Sequence, residues 1–178
     1  MFIEKMKSLK IIPLLFVIIG FCPNENIVRA GTGAANPKSY KVLSTNNKNL
    51  SVASVEYYLK EGDKFIKNGD FDEAKDSYLD ARKLAKQLAS FYSDLNSSFK
   101  GVDARIPKEM QRKGKETLQI LAKTNGRLAS LYLKTEKPEV AVPLLVETIR
   151  IMSPNSPEGK EAYETLIQLG FVETKYKG

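Results

Sequence analysis

From Ser51 onward the apolar residues recur at spacings of three and four, the period of a helix with one buried face. The first such stretch predicts a helix from about Ser51 to Asn68. Ser51 or Ser54 caps its free amides, and Asn68-Gly69 stops it, because both residues tolerate a left-handed backbone. Asp70, Asp72 and Glu73 then open a second helix, where negative charge suits the positive end of the helix dipole. In that helix Phe71, Ala74, Tyr78, Ala81, Ala85, Leu88, Tyr92, Leu95 and Phe99 alternate spacings of three and four, a heptad seam. Lys100-Gly101 ends it. Pro107 suits the first turn of a third helix running to about Lys134, with Met110, Leu118, Leu121, Leu128 and Tyr132 on a seam that Gly114 and Asn125 interrupt. A fourth helix follows Pro138 and reaches about Ile151; Pro143 inside it predicts a kink in its first turns or a delayed start. A fifth opens at Ser156-Pro157-Glu158 and ends at Gly170, over which Phe171 is expected to pack. The expectation is an all-α chain of about five helices in antiparallel pairs, with residues 51–170 as the helical domain and 171–178 as a tail.

The N-terminal pattern is different. Lys5, Lys7 and Lys10 precede the apolar run Ile11–Phe21, the arrangement of a secretory signal peptide and shorter than the ~20 residues a membrane-spanning helix needs. Val28-Arg29-Ala30 places tolerated residues before a cleavage point after Ala30, giving a signal peptide over 1–30; Gly33-Ala34-Ala35 is a second cleavage region. Cys22 invites lipidation, but Phe21 stands where a lipobox needs a small residue. An uncleaved anchor is the alternative. Residues 31–50 are rich in Gly, Asn, Ser, Thr and Lys without apolar periodicity and read as a flexible linker.

Composition narrows the chemistry. Apolar residues make up 42% of the 178, enough for a packed core. There is no histidine and one cysteine, Cys22. A Ser-His or Cys-His nucleophile therefore cannot be assembled, and the usual soft metal ligands are missing. No phosphate loop or nucleophile elbow appears. Pairs such as Glu109 with Glu116, or Asp72 with Asp76, share helix faces as surface carboxylates routinely do; a deep pocket enclosing two or more carboxylates would be needed to suggest catalysis. The reading is non-enzymatic, without cofactor or metal. The formal charge of +7, or +5 without residues 1–30, suits acidic partners or anionic lipid heads and does not choose between them.

Two segments repeat a pattern. In the first, Tyr58, Gly62, Phe65, Gly69, Phe71, Ala74, Tyr78 and Ala81 fall in register with the consensus of the tetratricopeptide repeat (TPR), which this stretch resembles. Small residues at Gly62, Ala74 and Ala81 allow close helix approach, and the aromatics fill the space beside them. In the second segment Ala129, Tyr132 and Ala141 are in register, with Leu145 at an aromatic position, Pro138 in place of the turn aromatic and Thr148 in place of the last alanine. Residues 89–121 do not match. They read instead as the lengthened parts of two repeat helices, an antiparallel hairpin with arms ~42 Å long at ~1.5 Å per residue and its tip near Gly101–Ile106. The last helix resembles the capping helix of such arrays. Two repeats are fewer than the three usually needed, and the hairpin, the cap or a homodimer would supply the missing burial.

The resemblance implies protein binding along the concave face lined by the first helix of each repeat. Carried onto this chain, the exposed positions are Leu59, Asp63, Ile66 and Lys67, then Lys123, Arg127, Ser130 and Lys134. Lys123 and Arg127 have the spacing of one half of a carboxylate clamp, on one helical face; the other half is absent, with Leu59 and Asp63 in its place. A second surface is the hairpin tip, where Lys100, Arg105, Lys108, Arg112, Lys113 and Lys115 give six cations over sixteen residues against Asp103 and Glu109. It suits an acidic protein or an anionic membrane surface. Nucleic acid is not expected, since no reader motif is present. The expectation is an exported scaffold or assembly factor of the periplasm or thylakoid lumen, docking a protein partner. The alternative is an anchored structural protein whose basic tip meets lipid.

Overall fold

The structure is a computed structural model and describes residues 50–178. The expected signal peptide, both expected cleavage regions, Cys22 and the expected linker up to residue 49 lie outside the described residues. Leu50, expected in the linker, is half-buried against the core.

The described chain is all-helical, with no strand. It comprises α1 (Val52–Asn68), α2 (Phe71–Ser98), α3 (Arg105–Lys134), α4 (Pro138–Met152) and α5 (Pro157–Gln168). Residues that meet across each turn lie nearly equidistant from it. Gly62 faces Tyr78 across Gly69-Asp70, Tyr92 faces Gly114 across Phe99–Ala104, and Asn125 bonds Glu147 across Thr135–Lys137. That is the signature of antiparallel neighbours, so α1 and α3 run parallel. α5 packs on α4 and touches α3, and α1 also touches α3.

The predicted seam of α2 is the seam that packs. Ala74, Tyr78, Ala81, Ala85, Leu88 and Tyr92 are buried, and Phe71, Leu95 and Phe99 are half-buried. Burying a side chain the size of Leu88 or Leu128 contributes roughly 1.5–3 kcal/mol relative to leaving it in water. α3 buries more than one face, because it lies between α2 on one side and α4 and α5 on the other. Ile120, Leu121, Ala122, Leu128, Ala129 and Leu131 are all enclosed, and so are Thr117, Thr124 and Asn125. The threonine hydroxyls donate back to carbonyls four residues earlier, Thr117 to Lys113 and Thr124 to Ile120. Asn125 is wholly buried and bonds outward to α2 and α4. It does not interrupt the helix; it joins three of them. Gly114 is also accommodated within continuous helix.

Three helices close in the same way. After α1, Gly69 is left-handed (φ 86°), its N–H bonds the carbonyl of Ile66, and the N–H of Asp70 bonds that of Phe65. After α3, Glu136 is left-handed (φ 57°), bonding Leu133, while Lys137 bonds Tyr132. After α5, Gly170 (φ 75°) bonds Ile167 and Phe171 bonds Leu166. Each is the paired-bond closure that satisfies the last orphan carbonyls. The closures at 69, 136 and 170 stand 67 and 34 positions apart.

Several expectations need correction. α4 is not delayed by Pro143: it starts at Pro138, which occupies its first turn, and Pro143 interrupts only the bond to the carbonyl four residues earlier. The hairpin turn is Phe99–Ala104, and Ile106 belongs to α3. Phe171 does not cover the end of α5; its N–H closes the helix while its ring stays 59% exposed. The tail is not free either. Tyr163 donates to the carbonyl of Thr174 (2.7 Å), Lys160 to that of Gly178 (3.0 Å), and the rings of Tyr163 and Tyr176 meet edge to face.

Candidate functional site

α1, α3 and α5 flank an open groove of about 730 Å³. A periodic stripe of α3 forms its floor: Glu116, Gln119, Ile120, Lys123, Gly126, Arg127, Ser130, Leu133 and Lys134 return every three or four residues. Val52, Glu56 and Ile66 contribute from α1, and Glu158, Glu161, Ala162 and Thr165 from α5. The lining mixes apolar side chains with about as many polar and charged ones.

Five expected groove residues, Ile66, Lys123, Arg127, Ser130 and Lys134, line it. Asp63 lies behind Arg127 rather than on the wall, and Lys67 is exposed away from it. Leu59 corrects the expectation outright: it is 3% exposed and belongs to the core. The α1 positions were shifted by this much because α1 turns its Ser54–Val55–Leu59–Gly62 face inward, leaving Val52, Glu56 and Ile66 at the groove edge.

Arg127 is not a free cation. Its guanidinium grips Asp63 with two bonds, Nε to Oδ1 at 2.6 Å and Nη2 to Oδ2 at 2.9 Å. The Tyr78 hydroxyl donates to the same carboxylate at 2.7 Å. The pair ties α1 to α3 while Tyr78 brings in α2. The hydrogen bond from Arg127 holds the Asp63 carboxyl below its usual pKa against the cost of burial, with help from Tyr78. Burial and the bond to Asp63 in turn push the Tyr78 phenol well above its ordinary range. Of the two cations expected to share a clamp, Arg127 is thus already engaged from within the chain. Lys134 stands 4.8 Å from the centre of the Phe71 ring, which holds its charge at the α2 side of the groove.

A second polar knot lies behind the groove. Glu147 of α4 accepts from Arg82 (2.6 Å), Lys86 (2.7 Å) and Asn125 (3.1 Å), and Arg82 also donates to Asn125 (2.8 Å). Burial opposes the charge on Glu147, but the bonds from Lys86 and Arg82 outweigh it and hold its pKa down at about 2. Such a network fixes the mutual position of α2, α3 and α4.

The tip cations divide into two sets. Arg105 is paired to Asp103 (2.7 Å), and Lys113 to Glu109 (2.8 Å) with its ammonium 5.9 Å from the centre of the Tyr92 ring. Lys100, Lys108, Arg112 and Lys115 have no ion-pair partner among the described residues, and the last three share one face of α3. Val102, at the turn, is 77% exposed.

Glu56, Glu116, Glu158 and Glu161 are the groove residues that sequence reasoning missed. Their signal was present: Glu116 continues the stripe of Lys123, Arg127 and Ser130 two helical turns earlier, and Glu158, Glu161 and Thr165 share one face of α5. Among the described residues no group of three acidic, His or Cys side chains converges as a metal ion would need, and no helix is long and apolar enough to cross a membrane. No protein-family model matches the chain, and a search of curated proteins finds no match.

Proposed function

We propose that this chain is a TPR-like scaffold whose groove docks a segment of another protein. The groove formed by α1, α3 and α5 is the observation that carries this reading. In a helical repeat array the first helices of successive pairs line the concave face, and α1, α3 and α5 hold those places in chain order. The helix closures support the assignment. Those of α3 and α5 are 34 residues apart, the length of one TPR, and those of α1 and α3 are close to two such lengths. On this reading α2 and α3 are repeat helices extended into a hairpin, and α5 is the cap.

The reading includes export, which rests on Lys5, Lys7 and Lys10 followed by Ile11–Phe21. It is non-enzymatic. The groove does hold four carboxylates, but they are distributed over three helices along an open trough rather than enclosed in a pocket that would set their protonation apart.

The test is affinity capture by the full chain from its own envelope fraction, compared with Ser130→Trp, which fills the groove from an exposed position. Capture of a defined protein that Ser130→Trp abolishes is the expected result. Capture unchanged by Ser130→Trp and lost with Lys108→Glu/Arg112→Glu/Lys115→Glu would move the function to the tip. That tip is the second reading, favoured by the stripe of unpaired cations beside exposed Val102. There the chain meets an anionic surface through the hairpin.

A further inference from the structure

We infer that the occupant of the groove is a cationic peptide segment, a Lys or Arg flanked by apolar residues, on a partner protein. The inference rests on the groove reading above and names its chemistry. The chain as a whole carries +7, yet its groove has the opposite balance. Glu56, Glu116, Glu158 and Glu161 line it, and none has an ion-pair partner within 4 Å among the described residues. Of the three groove cations, Arg127 is neutralised by Asp63 and Lys134 is held against the Phe71 ring. Lys123 and Lys134 remain to set against four carboxylates, so the lining stays net negative.

The carboxylates also have a place. The Asp63–Arg127 contact sets the register of the parallel helices α1 and α3. Glu56, two turns before Asp63 on α1, is therefore level with the Glu116–Lys123 stretch of α3, and Glu158 and Glu161 come from the first turns of α5. The negative charge gathers toward the hairpin-proximal half of the groove, and Lys134 lies at the other end.

Glu158 supplies the sharpest detail. Its Oε2 is buried and meets no hydrogen-bond donor within the protein. A buried carboxylate oxygen without a donor is costly, and an ammonium or guanidinium is the group that satisfies it best. The same groove is also lined by Val52, Ile120, Ala129, Leu131 and Ala162, so the flanking residues of the segment are apolar too.

The probes are labelled short peptides that share Leu and Ala positions and differ only in carrying Lys, Gln or Glu at the others. Fluorescence anisotropy with the full chain measures their binding, with circular dichroism as the check of fold. The Lys peptide is expected to bind at least about tenfold more tightly than the Gln peptide, the Glu peptide more weakly still, and the preference is expected to shrink as salt rises. Glu158→Gln/Glu161→Gln should weaken the Lys peptide about tenfold, and Glu164→Gln, exposed on α5 outside the groove, should leave it unchanged. Equal binding of the Lys and Gln peptides, or indifference to Glu158→Gln/Glu161→Gln, overturns the inference. If Ser130→Trp still abolishes that binding, the groove stands and only the cationic preference falls. If Ser130→Trp has no effect, or no peptide binds, groove and preference fall together.

Discussion

Gly62 is laid directly against the ring of Tyr78, so closely that a β-carbon on Gly62 would overlap the ring atoms Cδ1 and Cε1. The ring has nowhere to retreat, because Tyr78 is 2% exposed and its hydroxyl is held by Asp63. Gly114 occupies a comparable place in α3, yet a β-carbon there would sit 3.7 Å from Cβ of Tyr92, an ordinary contact.

The same substitution should therefore have opposite signs at the two glycines. Gly62→Ala is expected to destabilise by about 1–3 kcal/mol through overpacking, against its gain in helix propensity. Gly114→Ala is expected to stabilise by up to about 1 kcal/mol. Urea denaturation followed by circular dichroism distinguishes them. Equal and favourable shifts at both sites would mean that α1 and α2 do not approach as described.

Glu136 holds a left-handed backbone, φ 57°, at the position where α1 and α5 end with glycine. A residue with a β-carbon pays roughly 1 kcal/mol for that conformation. Glu136→Gly should raise stability by about that amount, less the entropy that glycine adds to the unfolded chain, and Gly69→Ala should lower it by a similar amount. Thermal unfolding of the two variants beside the parent chain checks both signs.

Acid should loosen the bundle in a defined window. Asp63 and Glu147 both have folded-state pKa values below their ordinary ones. The stability they contribute is present above the ordinary carboxylate range and disappears as pH falls through the folded value, from 4.5 to about 2 for Glu147. The expected melting temperature is flat from neutral pH to about pH 5 and drops below that. Glu147→Gln should cost about 2 kcal/mol at neutral pH, since Arg82 and Lys86 lose their charged acceptor, and should show a shallower acid decline. A decline as steep in Glu147→Gln as in the parent would place the acid-sensitive group elsewhere.

The helices and the α2 seam were legible in the sequence because they follow from period and capping alone. Ser51 caps α1 and Ser156 caps α5 as their residue types predict, each accepting an amide three residues on. The groove was half legible. Ile66, Lys123, Arg127, Ser130 and Lys134, all named from the sequence, line the groove, the last four because α3 presents them on one continuous stripe. Leu59 was misplaced because the rotation of a helix about its own axis depends on what packs beside it, which a consensus position does not report. Asp63 and Arg127 were seen as separate surface charges, since nothing local signals that residues 64 apart will meet. Asn125 looked like a flaw in an apolar seam, and only the presence of Arg82 and Glu147 on neighbouring helices turns it into a joint.

α3 carries both proposed surfaces on one uninterrupted rod of 30 residues, with Lys108, Arg112 and Lys115 near its start and the groove floor from Glu116 to Lys134. At ~1.5 Å per residue, Lys108 and Arg127 are separated by roughly 28 Å, and no joint lies between them. The helix therefore serves as a ruler that sets the spacing between the tip and the trough.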